Sequence, residues 1–533
     1  MNNLKHIGKV STLLLTFFAG PLLAQQPAIQ YFRPYDQRGV NVFEINKHKD
    51  TVAYDGFKLR IGAGFTQGFQ KFTHSNSARV VLADGATTWI EDDNGNFINR
   101  VTGVAAPGTF APDPNVYGAW VYTPDPIGAP NTQRVLTNSN QLYEMSAGFP
   151  LAQANLYFDV QLADGVRLHL ANYMASHHHN EFWVKGGYLQ VDKVSFLNSA
   201  FMDKLWTNLS LRVGHMEINY GDAHFRRSDG GHTLWNPFIE NNIMDAFTTE
   251  IGWELYWYKN DLMLMMGYTD GEIQGNVTKP NERDPNLYWK AAYDKNVNED
   301  LRVRLSGTFL TTKSSIRNTL YGGDRTGSNY QFVMDNNAAT VTTAFTSGRF
   351  NPGITDNITS WVINPFIKFK GLELFGTYEV ATGNSPVENG ELQYSDPTNN
   401  DGTLKPVFDK LDKRKATQSA VDLLYRFGKK EQFFVGVKYN SVDAEIALGQ
   451  ATNTASYIYQ GDRVDVTIKR TAFAGGWFIT KNVLLKGEYV NQKYTGFPEF
   501  FDNRSTSAAG FKDTSMFANG EFKGFVIQGV VTF

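Results

Sequence analysis

The stretch NLYFDVQLADGVRLHLANYM, Asn155 to Met174, decides the fold. Apolar and polar residues alternate along NLYFDVQL and again along VRLHLANYM, the period of a strand with one wet and one dry face. Only Ala163, Asp164 and Gly165 separate the two runs, and an Asp-Gly pair between alternating runs marks a tight hairpin. The same period opens earlier, where Phe57, Leu59, Ile61, Ala63 and Phe65 share one face and Lys58, Arg60, Gly62, Gly64 and Thr66 the other. After this first strand, near 57–71, further strands are expected near 182–193, 208–219, 246–258, 262–273, 286–294, 301–312, 361–370, 372–382, 418–427, 432–445, 464–479, 483–494 and 521–533. The total is about sixteen, with about eighteen as the alternative.

The connections between these strands alternate in length. Long ones lie at about 72–153, 220–245, 313–360, 383–417 and 495–520, and tight ones at 163–165, Lys259-Asn260-Asp261 and Thr480-Lys481-Asn482. An even strand count then places the long connections at one end and both termini at the other, as outer-membrane barrels place extracellular loops and periplasmic turns. A soluble sandwich has no reason to sort its loops in this way. The final strand, GEFKGFVIQGVVTF, sets Phe525, Ile527, Gly529, Val531 and Phe533 on one face and resembles the aromatic-terminated last strand of bacterial outer-membrane barrels. The fold class is therefore all-β, a transmembrane antiparallel β-barrel over 57–533.

Composition and addressing agree with that reading. Lys5 and Lys9 precede the apolar run Leu13 to Leu23, and the small Ala24 stands before Gln25, so 1–24 reads as a secretory signal peptide and the barrel as bound for the bacterial outer membrane. Beyond it no run approaches the roughly 18 to 20 apolar residues of a membrane helix, the densest being LMLMMGY at Leu262 to Tyr268. The formal charge of −3 falls to about −5 once Lys5 and Lys9 leave, which argues against a nucleic-acid partner. With 0 Cys there is no disulfide framework, zinc-thiolate site or thiol nucleophile. Residues 25–56 carry Arg33, Asp36 and Arg38 without a strand pattern; a lumen plug and a contact with a periplasmic partner are open to them, and a flexible periplasmic leader is the default reading.

If apolar faces meet lipid, the opposite faces line the lumen. Parity puts Lys58, Arg60, Arg167, Lys185, Arg212, Lys290, Arg302, Arg304, Lys368, Arg426, Lys438, Lys469 and Lys486 inside, with Asp159, Glu250, Glu254, Asp294, Glu373, Glu379, Asp422, Asp465 and Glu488. Cations exceed acids, so the lumen reads as mildly anion-favouring, and the plainer alternative is that these charges stand where a water-filled barrel tolerates them. A barrel of about sixteen strands is wide enough for an aqueous channel unless something folds inward, and the candidate is the connection Gly221 to Asp245, with Arg226, Arg227, Asp229, Glu240 and Asp245 beside Phe225, Trp235 and Phe238; composition does not give direction, and an exposed loop outside the lumen is the equal alternative. Arg302 and Arg304 point to one face, either as part of an anion path or as partners of acids such as Asp294.

The strand LRVGHMEINYGD, Leu211 to Asp222, resembles the R-x-G-x-x-x-x-x-[FY]-G stretch of the porin O/P family, phosphate-selective outer-membrane porins and their relatives, through Arg212, Gly214, Tyr220 and Gly221. The resemblance implies a channel, often trimeric, for small anions or general hydrophilic solutes. The interleaved carboxylates Glu250, Glu254, Glu373 and Glu379 weaken the transfer of phosphate selectivity to this lumen. The leading expectation is thus an outer-membrane porin in contact with lipid and small solutes, and the alternative is a structural or adhesive barrel acting through its long loops. No G-x-S-x-G elbow is present, and the expectation is no enzyme and no cofactor. The triplet His177, His178 and His179 sits in a short outer turn, where adjacent imidazoles rarely converge on one ion. Asp92-Asp93 before Asn94-Gly95-Asn96 lacks the closing Glu of a calcium loop and reads as a solvated turn.

Overall fold

In the computed structural model of the chain, residues 26–533 are described apart from 84–87, 101–102, 125–133, 175–181, 230–232, 272–283, 314–317, 338, 341–343, 386–387, 389–392, 396–403, 407–409, 449–462 and 504–510. The signal peptide expected at 1–24 and the histidine triplet lie outside the described residues. Sixteen strands close into one antiparallel barrel. They are β1 (Lys58–Ser75), β2 (Gln153–Ala163), β3 (Val166–Met174), β4 (Phe182–Val191), β5 (Leu209–Glu217), β6 (Thr249–Lys259), β7 (Leu262–Thr269), β8 (Asn286–Asn296), β9 (Leu301–Thr311), β10 (Asp356–Phe369), β11 (Leu372–Asn384), β12 (Arg414–Phe427), β13 (Phe433–Ala447), β14 (Arg463–Thr480), β15 (Val483–Thr495) and β16 (Glu521–Thr532). The seam is β1 against β16, with Gly64 opposite Thr532 and Ser75 opposite Glu521.

The alternation read from the sequence becomes two surfaces. Phe65, Leu264, Trp289, Tyr425, Phe473 and Ile527 are exposed on the outside, while their neighbours Thr66, Met265, Lys290, Leu424, Ala472 and Val526 are buried. Such an apolar belt around a closed ladder suits hydrocarbon, because closure pairs the backbone groups that lipid cannot satisfy. No helix among the described residues is long and apolar enough to cross a membrane.

Where the strands rise past this belt, the rule of apolar outside and polar inside reverses. β12 begins at Arg414 and β10 at Asp356, earlier than expected near 418 and 361. There Ile358, Val362, Ala416 and Ala420 are buried inward while Lys415 and Ser419 are exposed outward. The same reversal corrects β14: Asp465 and Lys469, expected in the lumen, stand outside, and Val466, Ile468 and Arg470 are buried within. The physical reason is that the lumen at this level is filled with protein, so apolar side chains have a dry partner inside and water outside.

The long β1–β2 connection is not a plain loop. It holds two three-stranded sheets, Val81–Ala83 with Thr88–Glu91 and Phe97–Asn99, and Gly108–Pro112 with Ala119–Pro124 and Arg134–Thr137. Leu82, Trp89, Phe97, Tyr122 and Leu136 form a core shared by both sheets. In the turn Asp92–Asn96 the Asp92 carboxylate accepts from the Asn94 and Asn96 amides at 2.9 and 2.8 Å, so it is engaged with its own turn.

Candidate functional site

A sixteen-strand barrel leaves an aqueous lumen unless chain enters it, and here chain enters from both ends. Residues 26–56, the default flexible leader, instead lie inside the wall at the end that carries the tight turns. The Gln30 amide donates to Gln161 at 2.9 Å, the Tyr35 hydroxyl to Asp159 at 2.7 Å and the Asn41 side chain to Glu373 at 2.6 Å. Glu44 meets Lys290 at 2.7 Å and also Arg304, and Lys47 donates to the carbonyls of Asp192, Trp206 and Leu209. Phe43 lies edge-on to Phe366 and Phe225 at 5.4 and 5.8 Å. The polar side chains of this segment find buried partners on β2, β8, β9 and β11, and pairing across such distances leaves no local sequence signal. Burial raises the Glu44 carboxyl, and the Arg304 and Lys290 charges more than reverse this, holding it below the ordinary range.

From the opposite end the described residues of the connection 218–248 fold inward, the course for which Gly221 to Asp245 was the candidate. Lys486 on β15 donates to the carbonyls of Thr233, Asn236 and Phe238 at 3.0, 2.9 and 2.7 Å. The Ile243 and Met244 amides donate to Asn440 and Gln418 at 2.7 and 2.9 Å. Arg470, missed by parity, donates to the Asn241 and Gly348 carbonyls at 2.7 and 2.8 Å and so ties this connection to the β9–β10 connection. Arg227 pairs with Asp229 and Asp245 at 2.7 Å each, and Arg349 reaches the same two acids at 3.2 and 2.7 Å. Burial raises the Asp229 carboxyl, but the two guanidinium charges hold it well below the ordinary range.

Between the β2–β6 wall and these two inserts a cavity of about 210 Å³ remains. Arg167, Lys185 and Arg212 border it from the wall and Arg33, Trp235 and Phe225 from the inserts. Arg212 lies 4.6 Å over Tyr188 and 5.4 Å over Tyr256, with its Nη1 3.3 Å from Glu254. Arg33 stacks 3.5 Å over Trp235 and donates to the Gly39 and Phe225 carbonyls. The motif glycine Gly214 sits at φ +152°, where an added Cβ would stand 2.3 Å from the Gly187 carbonyl, so only glycine lets β4 and β5 approach here. The motif tyrosine shares a hydroxyl hydrogen bond with Ser360, and Gly221, at φ +69°, turns the chain from β5 into the lumen.

The expected lumen cations do not form a single path. Arg167, Lys185 and Arg212 line the cavity, and Lys185 also pairs with Asp324. Arg302 holds Asp294 with two bonds of 2.8 and 2.7 Å, and Arg304 holds Asp222 with two of 2.7 and 2.8 Å, so both are partners of acids. Arg426 meets Glu373 at 2.7 Å, and Lys368 meets Glu431 at 2.6 Å. Lys438 is 3.6 Å from Asp422, which Arg226 approaches to 3.9 Å while lying over Phe375. Lys58 pairs with Asp55, and Arg60 lies 4.7 Å over Phe32. Arg226 and Arg227 belong to the inserted connection rather than to the wall. The sequence singled out Arg33 only as a charge of 25–56, and Glu44 and Lys47 were missed; the available signal was the density of aromatic and charged residues in Tyr31 to Glu44.

No family model matches the chain, and no curated protein matches it. Solved structures do match. OmpT, an outer membrane protein of Vibrio cholerae, is 10% identical, covering 90% of this chain and 99% of its own at a TM-score of 0.41. An anion-selective porin from Comamonas acidovorans is 9% identical, covering 90% and 100% at 0.41. The outer membrane channel DcaP of Acinetobacter baumannii is 11% identical, covering 91% and 99% at 0.40. A likeness of this degree concerns architecture and assigns no residue a role.

Proposed function

We propose that this chain is an outer-membrane channel of the porin O/P type for small hydrophilic solutes, mildly anion-favouring, working by passive diffusion and without catalysis. The observation that carries the reading is the cavity along β2 to β6, bordered by Arg167, Lys185 and Arg212 inside a closed wall with an apolar exterior. Selectivity in such a passage follows from its width and the field of its lining charges. Assembly as a trimer in outer-membrane lipid belongs to the same proposal. The test is a planar bilayer holding the purified chain with a potassium chloride gradient across it. Discrete conductance steps with a reversal potential on the chloride side support the reading, a cation-side potential removes the anion preference, and silent insertion removes the channel.

One observation favours a second reading, an adhesive barrel. The two small sheets after β1 share their own core, led by Leu82, Trp89 and Tyr122, at the long-loop end. A folded outgrowth of this kind offers a partner surface that a pore does not need. Silent insertion together with surface binding that is lost on removal of 78–139 would favour this reading.

A further inference from the structure

We infer that the lumen cavity selects planar aromatic carboxylates; the inference rests on the channel reading and names the solute class of the same site. The size comes first. At about 210 Å³ the space is below the roughly 300 Å³ at which drug-sized sites begin, and suits one ring with one acid group.

The charge comes next. Two of the three acids around the cavity are already engaged: Asp159 accepts from Tyr35 at 2.7 Å and faces His169 at 2.8 Å, and Glu44 meets Lys290 and Arg304; the third, Glu217, lies 3.8 Å from His224 and 4.0 Å from Arg227. Arg212, by contrast, has one acid partner among the described residues, Glu254 at 3.3 Å, and its Nε has no hydrogen-bond acceptor. Arg167 donates to Gln190 at 2.8 Å, and its Nε is also without an acceptor. A guanidinium has five N–H donors in a fixed fork that matches a carboxylate with two parallel bonds. Arg212 also lies against the rings of Tyr188 and Tyr256, contacts that limit its rotamer freedom before any ligand arrives.

The rings decide between classes of anion. Tyr35 stacks on Tyr157 with centroids 4.5 Å apart, and Tyr157 on His169 at 6.2 Å. Space beside such a stack meets ring edges rather than faces. Edges carry the positive part of the aromatic quadrupole and receive the face of a flat ring in the edge-to-face arrangement. An inorganic anion gains nothing from rings.

The experiment is calorimetric titration of the detergent-purified full chain with benzoate, cyclohexanecarboxylate, acetate and inorganic phosphate, independent of conductance. The expected result is benzoate binding at least about tenfold more tightly than the other three. Arg212→Gln and Arg167→Gln, titrated separately, each reduce benzoate affinity, and Tyr188→Leu reduces the preference for benzoate over cyclohexanecarboxylate. Equal affinities for benzoate and acetate, a tighter phosphate, no benzoate binding, or full affinity in both arginine variants overturns the inference. Bilayer conductance of the same preparation decides the channel reading separately, so a conducting barrel indifferent to benzoate loses only the solute class.

Discussion

Arg304 shows how far a single residue could be read in advance. Alternation along β9 put it in the lumen beside Arg302, and Asp294 was within sight as a partner because the β8–β9 hairpin is local. Its strongest partners were not, since Asp222 and Glu44 arrive from 82 and 260 residues away. Arg304→Gln leaves two buried carboxylates, Asp222 and Glu44, to share the single charge of Lys290, a loss of about 3 kcal/mol. The expected outcome is a lower temperature of conversion in heat-modifiability gels, with little change in reversal potential. Gly214→Ala at φ +152° forces β4 from β5 and costs at least about 1 kcal/mol, read on the same gels. The sign of the pH dependence follows from Asp229. Its folded pKa lies below the ordinary 3.8, so the stability it contributes is present above that value and is lost as pH falls through the folded one. The inserted connection should therefore hold down to about pH 4 and loosen in stronger acid, visible as rising conductance or protease access below that point. Unchanged access at lower pH would remove Asp229 from this role.

At the scale of elements, strands were legible and inserts were not. Membrane strands announce themselves because one face must be apolar at every second residue, a constraint carried by each short stretch alone. That signal faded at the upper ends of β10, β12 and β14, where lipid no longer dictates the outer face and the inserts dictate the inner one. The inward course of 218–248 could be guessed from Trp235 and Phe238, apolar residues without a strand to hold them. Residues 26–56 gave no such pattern, since what fixes them are polar pairs with Asp159, Glu373 and Arg304 and ring contacts such as Phe43 with Phe366, all with partners far along the chain. Deleting 26–56 while keeping the export signal should raise single-channel conductance by about twofold or more, because the turn end of the lumen loses its filling. Conductance equal to that of the intact chain would mean that the segment does not limit flow.

The whole molecule is a lipid-facing shell around a protein-filled interior, and its surface can be tested as a unit. Leu264→Arg places a charge within the belt and should cost about 2 to 4 kcal/mol, whereas Lys469→Leu, above the belt, should change stability by less than about 1 kcal/mol. Refolding midpoints in lipid vesicles check both, and similar costs at the two sites would misplace the belt. The segment 26–56 also bears on how the molecule is made. It precedes every strand in the chain, yet its contacts run from β2 to the backbone of Lys481, to which Gln37 donates at 2.8 Å. It cannot seat until nearly the whole wall exists, and the seam of β1 with β16 joins the two ends of that wall. Its seat therefore works as a gauge of register: a wall closed two residues out of step would leave Asn41, Glu44 and Lys47 facing the wrong rungs, so the oldest part of the chain is the last to confirm that the rest was assembled correctly.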